Sequence, residues 1–280
     1  MIHYQTMDNG RLLVNDDFAA LLAAHHLVTA AALWNIAGIG VKNVLRERGT
    51  SRCTLTDPSG GGSIECYIKR YRPIPLREKV KNLLTLKPYN FDAIHEWEAL
   101  GRFLALGLNT MVPMAAARLD DGRSCNLTLG ITDYIRASDL FAGFEPERDA
   151  DRRLRLIGRI ARMAGKMHAA GLAHQDFYLV HFFVKPAEND NIYLIDLQRM
   201  IAQPVLSRRW RVKDLAQLRF SSEKYVSPSD IRFFWEIYTE QAGIDPTDQS
   251  LQRAVIAKAE KIRRHDAKLA ARRGAPPTVK

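Results

Sequence analysis

The stretch His174-Gln-Asp-Phe-Tyr-Leu-Val-His-Phe-Phe-Val184, then a polar turn, then Asn191-Ile-Tyr-Leu-Ile-Asp-Leu-Gln-Arg199, decides how the whole chain is read. Two apolar runs, Phe182 to Val184 and Ile192 to Ile195, flank the turn-forming group Pro186-Ala187-Glu188-Asn189-Asp190. This pattern predicts a β-hairpin. Pairing the runs about the turn sets His181 beside Ile195, so His181 and Asp196 emerge together at the open end. Asp176 lies five residues before His181, in the loop that enters the first strand. The hairpin thus gathers two carboxylates and an imidazole at one mouth.

Phosphoryl transfer needs such a set. One carboxylate orients the attacking hydroxyl and accepts its proton, and a second holds the magnesium that bridges the phosphates. Magnesium prefers hard oxygen ligands. Asp176 is the candidate base and Asp196 the candidate metal ligand. The protein-kinase pattern H-R-D-x-x-x-x-N, followed after a hairpin by Asp-Phe-Gly, has the same spacing and order. Here Gln175 stands for the Arg, His181 for the Asn, and Leu197-Gln198 for the Phe-Gly. His181 is therefore a second candidate metal ligand, although imidazole is an unusual partner for magnesium.

Upstream, the texture turns strand-like from Val41, with a turn at Gly49-Thr50-Ser51, a second run from Cys53 to Thr56, another turn from Asp57 to Gly62, and a third run from Ile64 to Tyr71. Three short runs in sequence predict an antiparallel meander. The first turn is where backbone amides of Gly49, Thr50 and Ser51 approach nucleotide phosphates in this reading. Lys69, in the third run, is suited to pair with phosphates if its side chain faces inward. A helix from Phe91 to Leu106 carries Trp97, Leu100, Phe103 and Leu104 on one face and Glu96 and Glu98 near its start. Glu96 is the preferred partner for Lys69, with Glu98 as the solvated alternative. The basic stretch Pro73 to Asn90 reads equally as an amphipathic helix on an anionic surface or as a solvated connection.

Met111 to Ala117 and Leu127 to Tyr134 predict two further strands, and Thr132-Asp133-Tyr134-Ile135 a hinge whose backbone, at Asp133 and Tyr134, holds adenine. Residues 151–170 are strongly periodic, with Leu154, Ile157, Ile160, Met163, Ala164 and Met167 on one core-facing stripe. Before the meander, residues 12–34 read as a capped packing helix. After Asp196 the chain is basic through Lys213, and Asp214 opens another helix too soon for a long activation segment. That favours a small molecule or glycolipid over a protein as acceptor. Helices follow at 228–242 and 249–273, the latter rich in Lys and Arg. The expected organisation is an N-terminal helical segment, 1–40, a nucleotide-binding N-lobe, 41–135, and a catalytic and acceptor-binding C-lobe, 136–275.

Composition sets the class. With 280 residues, 26% of them charged and 9% aromatic, the chain is a globular one able to bury a sizeable core. Its three cysteines, Cys53, Cys66 and Cys125, are scattered, which fits a reducing compartment and neither a disulfide framework nor a zinc site. Acidic residues precede the first apolar stretch, and no apolar run approaches the ~20 residues of a membrane span. A net charge of +10 implies an anionic partner.

Taken together, Arg46 to Arg52, Val80 to Leu84, His95 to Leu100, Gly107 to Met111, His174 to Phe183, Ile195 to Arg199 and Arg209 to Leu215 resemble the lipopolysaccharide core heptose(I) kinase family, the WaaP type, which has a protein-kinase-like fold. The resemblance covers residues 11–240. It implies an α+β, two-lobed fold with a small antiparallel N-lobe sheet, one N-lobe helix and a larger, mainly helical C-lobe. It further implies transfer of the γ-phosphate of ATP to a heptose hydroxyl of the lipopolysaccharide inner core, with Mg2+, at the cytoplasmic face of a Gram-negative inner membrane. By position it assigns Lys69 to the nucleotide phosphates, Glu96 to holding Lys69, Asp176 as base, Asp196 as magnesium ligand, and Asp214 to bracing the catalytic loop. Gln175 and Gln198 depart from the family's usual Arg and His.

Rival readings are a nucleotide-binding pseudokinase scaffold, a kinase for another sugar or small alcohol, and a nucleic-acid binder. Joint retention of Lys69, Asp176 and Asp196 opposes the first. The basic C-terminal helix lacks the interleaved aromatics that stack bases, which opposes the last.

Overall fold

A computed structural model describes residues 2–45, 48–73, 92–145 and 147–273, in two compact units, Met1–Thr132 and Asp133–Lys280. The basic stretch at 74–91 and the Pro276-Pro277 tail lie outside the described residues.

The first unit is built on a seven-stranded antiparallel sheet. Its elements are β1 (Tyr4–Met7), β2 (Leu12–Asn15), α1 (Ala19–Ala24), α2 (Ala30–Trp34), β3 (Ile39–Leu45), β4 (Arg48–Thr56), β5 (Ser63–Tyr71), α3 (Ala93–Ala105), β6 (Pro113–Arg118) and β7 (Ser124–Leu129). The strand order is β1-β2-β6-β7-β5-β4-β3. Side chains alternate across a strand, and this sorts the sheet into two faces. One face, with Cys53, Leu55, Cys66, Ile68, Ala115, Ala117, Cys125 and Leu127, packs on α1 and α2 through Leu21, Leu22, Leu33 and Trp34. The other carries Lys69 and Asn126 toward α3. Pro113 to Ala117 are all buried, the reading expected of a strand covered on both sides.

This corrects the expectation of a helical segment over residues 1–40. Residues 4–7 and 12–15 are strands, and β2 pairs with β6. Leu12 and Val14 alternate into the core at 0% and 2% exposure, but four residues are too few to show a period of two in the sequence. A cap does form, at Asn15: its side chain accepts from the Asp17 amide, ahead of a single 3-10 turn leading into α1. Between β4 and β5, Asp57 and Gly62 close the expected turn, with the Asp57 amide donating to the Gly62 carbonyl at 2.8 Å.

The second unit comprises β8 (Ile135–Arg136), α4 (Ala137–Ala142), α5 (Ala150–Ala169), β9 (Leu172–Ala173), β10 (Phe182–Lys185), β11 (Asn191–Leu194), β12 (Ile201–Ala202), α6 (Arg208–Ser222), α7 (Pro228–Ala242) and α8 (Gln249–Arg273). It is mainly helical. Helix α7 opens on a capping box, Ser227 with Asp230, and has Pro228 in its first turn. Helices α5 and α7 approach closely where α5 carries Gly158 and Gly165: a Cβ at Gly165 would lie 2.5 Å from Cβ of Gln241. No helix among the described residues is long and apolar enough to cross a membrane.

Candidate active site

The hairpin forms in the register the sequence implies. Phe182 pairs with Leu194 and Val184 with Ile192, and the Ile195 amide donates to the His181 carbonyl at 3.0 Å. The polar turn is closed by Asn189 and Asp190, both with positive φ, a conformation Asn and Asp tolerate best among side-chain-bearing residues.

His181 stands between the Asp176 backbone and the Asp196 carboxylate at the mouth. Its Nδ1 lies 2.6 Å from the carbonyl oxygen of Asp176, an atom that only accepts, so Nδ1 carries the proton. Nε2 lies 4.0 Å from Oδ2 of Asp196. Asp196 adopts φ +67 and Gln175 φ +68. Such backbone in non-glycine residues is costly and concentrates at functional sites.

The loop from His174 to Leu179 is held by one face of α6. Asp214, Gln217 and Ser221 recur at helical spacing, and each binds loop backbone. Asp214 accepts from the amides of His174 at 2.7 Å and Gln175 at 2.9 Å. Gln217 accepts from the Phe177 amide at 3.0 Å and donates to the Gln175 carbonyl at 2.9 Å. Ser221 accepts from the Leu179 amide at 2.8 Å. Asp214 does not open a helix, as the sequence suggested. It lies inside α6 at 0% exposure, because the helix starts six residues earlier, in a basic run without apolar periodicity.

His174 is enclosed in the same network. Nε2 faces the Ile195 carbonyl at 3.0 Å and must donate to it; Nδ1 accepts from the Asp176 amide at 3.2 Å. Both nitrogens are used in the neutral form. Burial, with the neighbouring His181, holds the His174 imidazole below its ordinary range.

Asp176 also meets Arg199, whose Nη1 lies 3.0 Å from Oδ2 and 3.3 Å from Oδ1. The sequence reading gave Arg199 no role. No local pattern links two residues that meet through a turn so far along the chain.

In the first unit, Lys69 Nζ lies 2.6 Å from Oε1 of Glu96. Glu96 has no exposure, and its Oε2 accepts from the Tyr71 hydroxyl at 2.8 Å and from Asn126 Nδ2 at 3.3 Å. Glu98 points to solvent. Tyr71 and Asn126 were missed. The signal for Tyr71 was present, since it stands two residues beyond Lys69 on the same face of β5.

Gly49, Thr50 and Ser51 need a correction. They are inside β4, not in a turn, and β4 is paired on both sides. Their backbone groups belong to ladders, and the expectation of free turn amides fails. Gly-Thr-Ser composition imitates a turn, while tertiary pairing decides. Thr50 stands directly opposite Lys69 and shares its face; Ser51 stands opposite Ile68, and its hydroxyl accepts from Arg70 at 3.3 Å. The fourth predicted strand forms as β6, Pro113–Arg118, while the fifth is displaced: β7 runs Ser124–Leu129 and shares only residues 127–129 with the expected Leu127 to Tyr134. Asp133 has φ +61 and begins the second unit. The Tyr134 ring packs edge-on against Tyr193, with Lys185 Nζ 5.3 Å from its centroid.

With this geometry in hand, comparison with known proteins is informative. Residues 42–238 match the model of the lipopolysaccharide kinase (Kdo/WaaP) family. The chain is 34% identical over 233 residues to the lipopolysaccharide core heptose(I) kinase WaaP of Escherichia coli, covering 79% of this chain and 87% of that protein. It is also 34% identical over 189 residues to the protein of the same name from Pseudomonas aeruginosa, covering 64% and 69%. A solved structure titled WaaP in complex with acyl carrier protein matches with a TM-score of 0.68 and 25% identity, over 90% of this chain and 98% of that one. The fold is thus the α+β, protein-kinase-like one expected from the sequence.

Proposed function

Since the chain belongs to the lipopolysaccharide kinase (Kdo/WaaP) family, we propose that it transfers the γ-phosphate of ATP to a heptose hydroxyl of the lipopolysaccharide inner core. Membership of a kinase family makes it a phosphotransferase and implies ATP as donor. The observation that carries the reading is the convergence of Asp176 and Asp196 on one hairpin mouth beside His181, whose Nδ1 meets the Asp176 backbone carbonyl at 2.6 Å and whose Nε2 lies 4.0 Å from the Asp196 carboxylate.

In this proposal Asp176 accepts the proton of the attacking hydroxyl as the new O–P bond forms and the bond from the γ-phosphorus to its bridging oxygen breaks, leaving ADP. Lys69, held by Glu96, neutralises the nucleotide phosphates. Asp133 and Tyr134 contribute hinge backbone to adenine, and Thr50 flanks Lys69. Asp196 fits a magnesium ion: its carboxylate supplies a hard oxygen, and magnesium is commonly held by one or two carboxylates together with phosphates and water. His181 offers Nε2 as a softer second ligand. When bound, the ion neutralises charge developing on the phosphates. The basic face of α8, with Lys258, Lys261, Arg264, Lys268 and Arg272 exposed, supports peripheral attachment to an anionic membrane surface.

Acceptor profiling tests the reading. The full chain with labelled ATP is expected to phosphorylate lipopolysaccharide core lacking heptose phosphate and to leave free hexoses and small alcohols unlabelled. Preferential labelling of a small alcohol would move the acceptor elsewhere.

A further inference from the structure

The charge around Asp176 exceeds what proton abstraction from a neutral alcohol calls for. Arg199 meets the carboxylate through Nη1 alone, and its side chain is 46% exposed. Among the described residues its Nε and Nη2 donate to nothing. Behind it stands a second cation. Gln175, buried at 2% exposure, donates from Nε2 to the Arg199 carbonyl at 2.9 Å and accepts at Oε1 from Lys213 Nζ at 3.2 Å. The orientation of this amide is unambiguous, since a carbonyl only accepts and an ammonium only donates. Lys213 also packs over Trp210, 5.4 Å from the ring centroid. Burial and the nearby charge of Arg199 hold the Lys213 ammonium below its usual range. The other carboxylate nearby, Asp214, is already engaged by backbone amides of the loop. Among the described residues, Arg199 and Lys213 thus face one nearby carboxylate, Asp176, that is not taken by the loop amides.

A guanidinium clamped on a base weakens that base, so the contact suits a resting state that the substrate displaces. A movable Arg with unused donors is built to receive a second oxyanion. We propose that Arg199, backed by Lys213 through Gln175, is the residue that recognises an anionic group standing beside the attacking hydroxyl of the acceptor. This rests on Asp176 acting as the base of the proposed transfer. Capture of the acceptor's anion draws Arg199 off Asp176 and frees the carboxylate to take the proton. Gln175 serves as the bridge that keeps both cations in place.

The experiment uses the full chain and two forms of core oligosaccharide, one native and one with carboxylates amidated and phosphates removed. Calorimetric binding is measured for wild type, Arg199→Gln and Arg199→Lys, alongside KM for core and for ATP. Wild type is expected to bind the native core at least about tenfold more tightly than the neutralised one, the scale of one charge-assisted contact. Arg199→Gln should bind both forms alike and raise the core KM with ATP KM unchanged, and Arg199→Lys should recover part of the preference. Equal wild-type affinity for both forms overturns the proposal. So does a rise in ATP KM with core KM unchanged, which would assign the cations to the transferring phosphate. Charge-dependent binding without turnover would leave the anion site standing and reject heptose phosphorylation. The neutralised core keeps the test valid even if a variant fails to fold.

Discussion

The ammonium of Lys69 lies 2.6 Å from a carboxylate oxygen of Glu96, a residue with no solvent exposure. The other Glu96 oxygen is taken by Tyr71 and Asn126. Removing the cation strands a buried charge with, among the described residues, only neutral donors around it.

Lys69→Met is therefore expected to lower stability by about 3 kcal/mol. Adding Glu96→Gln should recover most of that loss, because a neutral amide oxygen still accepts from Tyr71 and Asn126. Activity should stay lost in the double variant. Urea denaturation and transfer assays on the same preparations separate the two effects, and a double variant as unstable as Lys69→Met would refute the burial argument.

Asp214 holds two backbone amides that have no other acceptor in the loop. In Asp214→Ala both donors stay buried and unmet, at roughly 1 to 3 kcal/mol each. The expected signature is a destabilised protein whose His174 and Gln175 amides exchange with solvent far faster than those of α5. Unchanged protection at these amides would contradict the bracing role.

A pH dependence follows from His174. Its folded-state affinity for a proton is lowered by burial and by His181, so the unfolded chain protonates first as pH falls through about 6.5, the unperturbed value. Its contribution to stability is complete above that pH and declines below it. The slope is at most one proton, about 1.4 kcal/mol per pH unit. Denaturation midpoints of wild type and His174→Gln between pH 8 and pH 5 should diverge at the neutral end and converge toward the acid end. A constant gap would show that His174 does not titrate on unfolding.

Much of this was legible in the chain itself. The hairpin register could be read because its apolar runs flank five consecutive turn formers, Pro186 to Asp190, and the pairing then fixed the neighbourhood of His181 and Asp196. Helices α7 and α8 match the bounds of their periodic segments. What stayed hidden shares a physical reason: long-range pairing overrode local preference. Gly49 to Ser51 look like a turn and are a strand; Leu12 to Asn15 look like a helix start and join the sheet through β6. The support given by Asp214, Gln217 and Ser221 was spelled at helical spacing, yet a weakly amphipathic, basic helix gives polar periodicity little contrast. Arg199 carried no local signal at all, since its meaning comes only from its contact with Asp176.

The most direct test of the account is magnesium-dependent phosphate transfer from labelled ATP to lipopolysaccharide core isolated from a heptose-phosphate-deficient strain, comparing wild type, Asp176→Ala and Asp196→Ala. The account predicts transfer by wild type and none by either variant, with nucleotide binding largely kept in Asp176→Ala because the base acts on the acceptor. Full activity in Asp176→Ala, or no transfer by a wild-type protein that binds ATP, would contradict it.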